Sequence, residues 1–281
     1  MMQNAEILPA TGWSAEALRE AMLDSFSDYA IPMQLSQPDF DAMMRQRGLD
    51  LPSSRVALID GTLAAIWLTS VRDGQAYLIS SGTRPAYRSR GLARVMAAGS
   101  LAYLREVGAR SFQTEVLRNN ELALPLYLSL GMTKLRKLDC YRITAPVNMP
   151  SIDQRVQQVE WKDIAPVVGQ LRDWRPSWQN SDASIAAIED QVLCLAAYDG
   201  SDLLGYIIAN PANGAVFQLA VRSDVRRQGI GIALLKALQE QVPGIALRFI
   251  NISREDTAFQ RLMIRAGAEV TLGQFELYMP L

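Results

Sequence analysis

Arg88-Ser89-Arg90-Gly91-Leu92-Ala93 and Arg226-Arg227-Gln228-Gly229-Ile230-Gly231 share the pattern R-x-x-G-x-(A/G), one copy in each half of the chain. Each follows an apolar, strand-like run and opens a helix-like one. A strand feeding such a turn into a helix presents successive backbone N–H groups at a helix N-terminus, where partial positive charge favours a phosphate or pyrophosphate. Glycine there lets an anion come close to the backbone, although the same residue also suits a bare turn or tight helix packing. Two copies in matching contexts favour the anion. Other phosphate motifs fit less well: a P-loop needs G-K-(S/T) after its glycines, and a dinucleotide fingerprint needs a third small residue where Leu234 stands.

The chain of 281 residues contains no histidine. Ser-His-Asp and Cys-His catalysis, H-E-x-x-H zinc sites and imidazole bases are therefore excluded, and proton transfer falls to Asp, Glu, Tyr, Cys, Lys or water. The two cysteines, Cys140 and Cys194, lie in strand-like runs in different halves, which predicts buried free thiols. The net charge is −1, with 16 Lys and Arg against 14 Asp and Glu in residues 1–145 and 12 against 15 in residues 146–281. Neither balance suggests the basic surface that nucleic acid requires, and the local cluster of Arg84, Arg88, Arg90 and Arg94 points by its position to a smaller anion. No apolar run approaches the roughly 18 residues needed to cross a bilayer, and the N-terminal residues do not show a basic start followed by an apolar run. The expectation is a cytoplasmic protein, a monomer or homodimer, with no membrane, nucleic-acid or metal partner.

The elements that must position the two turns also repeat. In the first half, Ile7-Leu8 reads as a short strand, and Ser14–Ser25 as a helix with Ser14 as N-cap. A second helix covers Asp39–Arg47. Strands follow over Arg55–Ile59, Leu63–Val71 and Gln75–Ser80, separated by the hairpin dipeptides Asp60-Gly61 and Asp73-Gly74. Then come a helix through Leu92, Val95, Met96 and Gly99, a strand at Ser111–Leu117, a helix over Asn120–Leu130, and strands around Leu135 and Tyr141. The second half runs in the same order, with Asp199-Gly200 at its first hairpin and a last pair of strands near Glu269 and Phe275. A second landmark pair, Gly131-Met132 and Gly267-Ala268, is separated by nearly the same interval as the two turn motifs. Ala145–Pro150 is short and Pro-bounded, as a stiff linker would be. The pattern predicts an α+β fold of two tandem domains, 1–145 and 151–281, each a mostly antiparallel sheet with helices on both faces.

At this level the chain resembles the GNAT superfamily of N-acetyltransferases, as two tandem copies covering nearly all of it. The resemblance rests on the two R-x-x-G-x-(A/G) turns and on Gly82-Thr83-Arg84-Pro85, similar to the family's G-V-x-P lead-in with Thr83 replacing Val. It rests further on Asn120, Ala123, Leu126, Tyr127, Gly131 and Met132, which follow N-x-x-A-x-x-L-Y-x-x-x-G-F except at the last position. It implies a sheet that splays beside the turn, and acetyl-coenzyme A with its pyrophosphate held by Arg88, Ser89, Arg90, Gly91, Leu92 and Ala93, and by Arg226, Arg227, Gln228, Gly229, Ile230 and Gly231. Gly82, Thr83 and Asn120 would also contact the coenzyme. Tyr127 would be the general acid for the departing thiolate, and a phenol, protonated at neutral pH, suits that role. Pro125 in the same helix predicts a kink.

An attacking amine must first lose a proton, and Glu115, on the strand beside the cleft, is the candidate base. A strand-end carboxylate paired with Arg118 or with solvent is the other reading of that residue. Backbone N–H groups near Gly82 or Thr83 would face the developing oxyanion. Asp28, Tyr29 and Asp39 are candidates to receive a cationic acceptor, or form a solvated acidic surface. In the second half, Asp256, Phe259 and Met263 stand where Asn120, Ala123 and Tyr127 stand in the first, and methionine has no proton to give. This predicts that the first half catalyses and the second binds or shapes a pocket. Trp174–Asn180 is unusually aromatic for a loop, suited either to lining a pocket at the junction or to core packing. The expected activity is acetyl transfer to a small-molecule amine in a ternary complex. A non-catalytic acyl-coenzyme A sensor and a protein-amine acetyltransferase are the alternatives.

Overall fold

The structure, a computed structural model, describes residues 5–28, 33–149 and 156–281. The chain divides into two compact units, residues 1–135 with 276–281 and residues 136–275.

In the first unit, β1 (Ala5–Pro9) precedes α1 (Ala15–Ser25), whose N-cap Ser14 accepts from the Ala17 N–H at 3.2 Å. α2 (Gln37–Arg47) is capped by Ser36 and stopped by Gly48, which is left-handed at φ 73°. β2 (Leu49–Ile59), β3 (Thr62–Arg72) and β4 (Gln75–Thr83) then form a meander. Its two-residue turns are Asp60-Gly61 and Asp73-Gly74, all four residues at positive φ as the hairpin dipeptides require. α3 (Leu92–Glu106), β5 (Ser111–Leu117) and α4 (Ala123–Ser129) follow. The strand order is β1-β2-β3-β4-β5, and the end of the last strand of the chain lies beside β5. Trp67, Phe112, Leu78, Met96 and Leu104 are fully buried between sheet and helices.

Beyond β6 (Thr133–Ile143), the second unit repeats the plan with β7 (Val156–Val159), α5 (Trp161–Val168), α6 (Asp182–Ala186), β8 (Leu193–Asp199), β9 (Asp202–Asn210) and β10 (Ala215–Val221). α7 (Ile230–Gln241), β11 (Leu247–Ser253), α8 (Thr257–Arg265) and β12 (Glu269–Pro280) complete it. Its strand order is β7-β8-β9-β10-β11-β6. Trp161, Ile164, Val168 and Ile185 of α5 and α6 pack on one face with Tyr206 and Ile208. The helices α7 and α8 pack together on the other, through Leu234, Leu238, Phe259 and Met263.

Three local expectations are corrected. Where two short strands were expected around Leu135 and Tyr141, and again near Glu269 and Phe275, single strands of 11 and 12 residues run through; β6 holds no Gly or Pro, and Gly273 stays within β12 without a left-handed turn. Pro125 does not kink α4: it falls in the first turn, where a backbone N–H has no intrahelical acceptor to lose. The described part of Ala145–Pro150 is docked on α7, with the Val147 N–H donating to Gln239 Oε1 at 2.8 Å and Gln239 Nε2 donating to the Ala145 carbonyl at 3.0 Å. The division between units accordingly lies within β6 and β12. Cys140 and Cys194 are free and buried, as expected, and burial pushes the Cys194 thiol up to about 12. No helix among the described residues is long and apolar enough to cross a membrane.

Candidate functional site

Both units open at the same place. The parallel pairing of β4 with β5 extends only from Gln75↔Ser111 to Tyr77↔Gln113, and that of β10 with β11 covers Ala215↔Arg248 and Val216↔Phe249. Just beyond, each central strand carries one extra residue against its antiparallel neighbour: Ile79 opposite Leu68/Thr69, and Phe217 opposite Ile208/Ala209. The interval between these bulges equals that between the two turn motifs. A bulge bends its strand and increases its twist, so the central strand leaves its parallel partner and a cleft forms. Neither bulge carries a Gly or Pro that would mark it in the sequence.

The turns then close the open end of each cleft. After a short 3-10 turn (Pro85–Tyr87, Ser223–Val225), Ser89 and Arg227 sit at φ 61° and 65°, and the helix N-caps Gly91 and Gly229 at 74° and 90°. A left-handed non-glycine residue costs about 1 kcal/mol and persists only where its surroundings enforce it. Alternating left-handed residues gather N–H groups into a concave nest for an anion. Neither α3 nor α7 has a side-chain N-cap or an acidic residue in its first turn, so the first-turn N–H groups remain available to a ligand. This arrangement fits a coenzyme pyrophosphate.

The arginines of the motif do something else. Arg88 donates from Nε to the Thr83 carbonyl at 3.2 Å, from Nη2 to the Ser25 carbonyl at 2.9 Å, and from Nη1 and Nη2 to Asp28 at 2.5 and 2.8 Å. Arg226 donates to the Val221 carbonyl at 2.8 Å and to Asp173 at 2.5 Å. Both side chains brace strand end, turn and preceding segment, which leaves the anion to the backbone. Asp28, expected to receive substrate, is committed to Arg88; the hydrogen bond to Arg88 holds its carboxyl below the usual range. Tyr29 lies outside the described residues. Asp39 sits in the first turn of α2, hydrogen-bonded to Ser36. Arg90 donates to the Ala86 carbonyl at 3.3 Å and lies over the Tyr87 ring. Leu92 and Ile230 are buried anchors of their helices.

Gly82 is required by packing, since a Cβ there would lie 2.6 Å from that of Ser25. Thr83 supplies the carbonyl that Arg88 grips. The side chain of Asn120 accepts from the Leu122 and Ala123 N–H groups at 3.2 and 2.8 Å, starting α4.

In the first unit the two proton-transfer candidates flank the opening. Tyr127 is 6% exposed and packs edge-on against Trp67, centroids 6.1 Å apart, and Trp67 also stacks on Phe112. Glu115 is three positions beyond Phe112 on β5 and so points to the opposite face of the strand. There its Oε2 accepts from the Tyr77 hydroxyl at 2.5 Å. Burial, and then the charge of Glu115, raises the Tyr77 phenol well above its ordinary value, so Tyr77 keeps its proton and remains a donor.

The second unit holds a cavity of about 670 Å³ lined by Trp174, Gln218, Val221, Arg227, Gly229 and Asp256, among others. A hydrogen-bonded network supports it. Arg172 grips Asp182 through two bonds of 2.7 Å, Gln218 Nε2 donates to Asp182 at 2.9 Å and to the Asn180 carbonyl at 2.7 Å, and Tyr206 donates to Gln218 Oε1 at 2.8 Å. Burial works to raise Asp182, but the bonds from Arg172 and Gln218 outweigh it and hold the carboxyl below its usual range. Asp256 accepts from the Phe259 N–H at 2.8 Å and from Trp174 Nε1 at 2.9 Å. Asp173, Asp182 and Asp256 are thus all engaged, and buried Met263 stands where Tyr127 stands in the first unit. Trp174 lines this unit's own cavity, whereas Trp178 and Asn180 are packed away from solvent.

The model of the acetyltransferase (GNAT) family matches residues 15–132 and 155–262. Among solved structures, a tandem GNAT protein from the clavulanic acid biosynthesis pathway is similar at 14% identity and TM-score 0.74, with 99% of this chain and 98% of that one covered. A putative acetyltransferase from Pyrococcus horikoshii is similar at 13% identity and TM-score 0.73, covering 100% and 91%. A GCN5-related N-acetyltransferase from Sphaerobacter thermophilus is similar at 17% and 0.73, covering 98% and 95%. At these identities the likeness is one of fold. None of the curated proteins compared matches the sequence.

Proposed function

The chain belongs to the acetyltransferase (GNAT) family, and from that premise we propose that it is a cytoplasmic acetyl-coenzyme A-dependent N-acetyltransferase acting on a small-molecule amine in a ternary complex. Chemistry is assigned to the first unit and coenzyme binding without transfer to the second. The observation that carries this reading is the disposition of Glu115 and Tyr127 on opposite faces of the split between β4 and β5, beside a nest made by Ser89 and Gly91.

Bound coenzyme supplies an acetyl thioester. Glu115 takes the proton that the amine nitrogen must shed as its bond to the acetyl carbon forms. Tyr127, on the far face, gives its proton to the sulfur as the carbon–sulfur bond breaks. A phenol carries its proton at neutral pH and so has one to give when a thiolate forms. The nest and the uncapped start of α3 hold the pyrophosphate, while Arg88 and Asp28 keep the turn in shape. In the second unit the cavity beside Gly229 suits the same coenzyme, and its engaged carboxylates and Met263 leave it without proton transfer.

A second reading is favoured by the depth of Tyr127: as a core residue alone it would leave a protein that binds acyl-coenzyme A without transferring the acyl group. Titration of acetyl-coenzyme A by calorimetry into wild type, Gly91→Glu and Gly229→Glu, followed by thiol release with a panel of amino sugars, polyamines and amino acids, separates the readings. Two sites in wild type, one lost in each variant, with thiol release abolished only by Gly91→Glu, is the expected result. Binding without thiol release for any amine favours the sensor. Release abolished only by Gly229→Glu moves catalysis to the second unit.

A further inference from the structure

Tyr77 and Glu115 are hydrogen-bonded on one face of the first unit, and the charges of Arg47 and Glu276 act on the same phenol. Tyr77 lies at the last parallel pair before the split and is 3% exposed. Glu115 is on β5, hydrogen-bonded to it. Arg47, from the last turn of α2, reaches the carbonyl of the bulge residue Ile79 at 3.4 Å, and its charge is felt by the Tyr77 phenol. Glu276 is also 3% exposed and lies on β12 (Glu269–Pro280), the strand beside β5, just after which the Leu281 N–H donates to the Arg110 carbonyl at 3.0 Å; its charge is felt by the same phenol. Glu276 comes from β12, more than half the chain beyond Glu115, in the segment 276–281 that belongs to the first unit.

We propose that Tyr77 and Glu276 are positioning residues for the base Glu115: Tyr77 holds its carboxylate by a hydroxyl hydrogen bond, and Glu276 places a second carboxylate in the same buried cluster. The inference rests on the assignment of Glu115 as base made above. A hydrogen bond donated to the charged form stabilises it, and a like charge nearby destabilises it. Tyr77 therefore fixes the orientation of Glu115 and keeps it ionised, while Glu276 raises its proton affinity so that it takes a proton readily. Arg47 is the one cation of the four, against two carboxylates, so a proton arriving from an amine relieves a net negative charge. The last strand thus supplies a group that sequence order places in the other half of the chain.

The test is a titration of the Glu115 carboxyl carbon by NMR in full-length protein labelled with [13C]glutamate, the signal being identified by its loss in Glu115→Gln. It requires neither amine nor coenzyme. In Tyr77→Phe the proton affinity of Glu115 is expected to rise about tenfold, and in Glu276→Gln to fall several-fold. Tyr77→Phe keeps the ring in place, and if it fails to fold, Glu276→Gln still reads the coupling. Less than a twofold change in folded variants overturns the proposal and leaves Tyr77 and Glu276 as packing. With an amine found by the panel, the acid limb of kcat/KM should move with the carboxyl titration. If the titration moves and the limb does not, the positioning stands and the assignment of Glu115 as base falls.

Discussion

The two units have the same backbone device and different side chains around it. Ile79 and Phe217 bulge at equivalent points, Ser89 and Arg227 adopt the same left-handed conformation, and Arg88 and Arg226 each brace a strand-end carbonyl and a preceding aspartate. At the split, however, Tyr127 faces one side and the Tyr77–Glu115 pair the other in the first unit, where the second has Met263, Ala215 and Asn251. Asn251 is left-handed at φ 59° and accepts from Gln274 at 2.8 Å. On the function proposed above, anion binding rests on the backbone and tolerates side-chain change, whereas proton transfer needs particular atoms that Met263 and Asn251 do not supply.

The largest effect should come from moving those atoms. Glu115→Gln and Tyr127→Phe are each expected to lower kcat by 10² to 10⁴, on the order of what positioned acids and bases contribute. Tyr127→Phe should leave the melting temperature nearly unchanged, because a phenyl ring keeps the contact with Trp67. Steady-state kinetics alongside thermal melts check both. Grafting Tyr at Met263 and Glu at Asn251 should give the second unit no activity, since Asn251 sits in a bulge of β11 against β6 that aims its side chain differently. Activity in a graft that also carries Glu115→Gln would break the comparison.

Next in size is a stability effect confined to the second unit. Arg172→Met removes the cation that holds Asp182 beneath the cavity, at an expected cost of about 2 kcal/mol, less than for a fully buried pair because Asp182 is 45% exposed. Since Asp182 is held below its ordinary value near 3.8, its contribution is fully present above that value and disappears as pH falls through the lower folded value. Thermal melts between about pH 2 and 6 should therefore show the wild type and Arg172→Met converging at the acid end.

A smaller effect is expected from the braces. Asp28→Asn and Asp173→Asn should each weaken coenzyme binding a few-fold at the turn of their own unit, and more at low salt, because both pairs are half exposed. Calorimetry at two salt concentrations checks this.

Much of this was readable in the sequence because it is written in local chemistry spanning a handful of neighbouring residues. Asp60-Gly61 and Asp73-Gly74 gave the hairpins, Ser14 the start of α1, and the paired R-x-x-G-x-(A/G) motifs the turns and their period. What escaped depends on partners distant in sequence. The motif's arginines read as anion ligands, but Asp28 and Asp173, 60 and 53 residues away, capture them. Glu276 reads as an ordinary charge near the end of the second half, because nothing local reveals that β12 ends in the first unit. The bulges have no residue signature, since Ile79 and Phe217 are ordinary strand formers.

The smallest expected effect concerns the last residue of the motif, where the units differ by a single methyl group. Gly231 occupies the position of Ala93, and the extra glycine suggests a closer approach of phosphate in the second unit. The packing gives it another cause: a Cβ at Gly231 would lie 3.1 and 3.3 Å from the two methyl carbons of Leu262 on α8. Those methyls are the far end of a flexible side chain and can retreat by a few tenths of an ångström. Alanine also lowers the entropy lost on forming the first turn of α7. The two terms oppose each other, so Gly231→Ala should change stability by less than about 1 kcal/mol and leave acetyl-coenzyme A affinity at the second site within twofold. Loss of that affinity with unchanged stability would mean that the methyl meets the ligand instead of Leu262, and that the two nests differ in how closely they admit it.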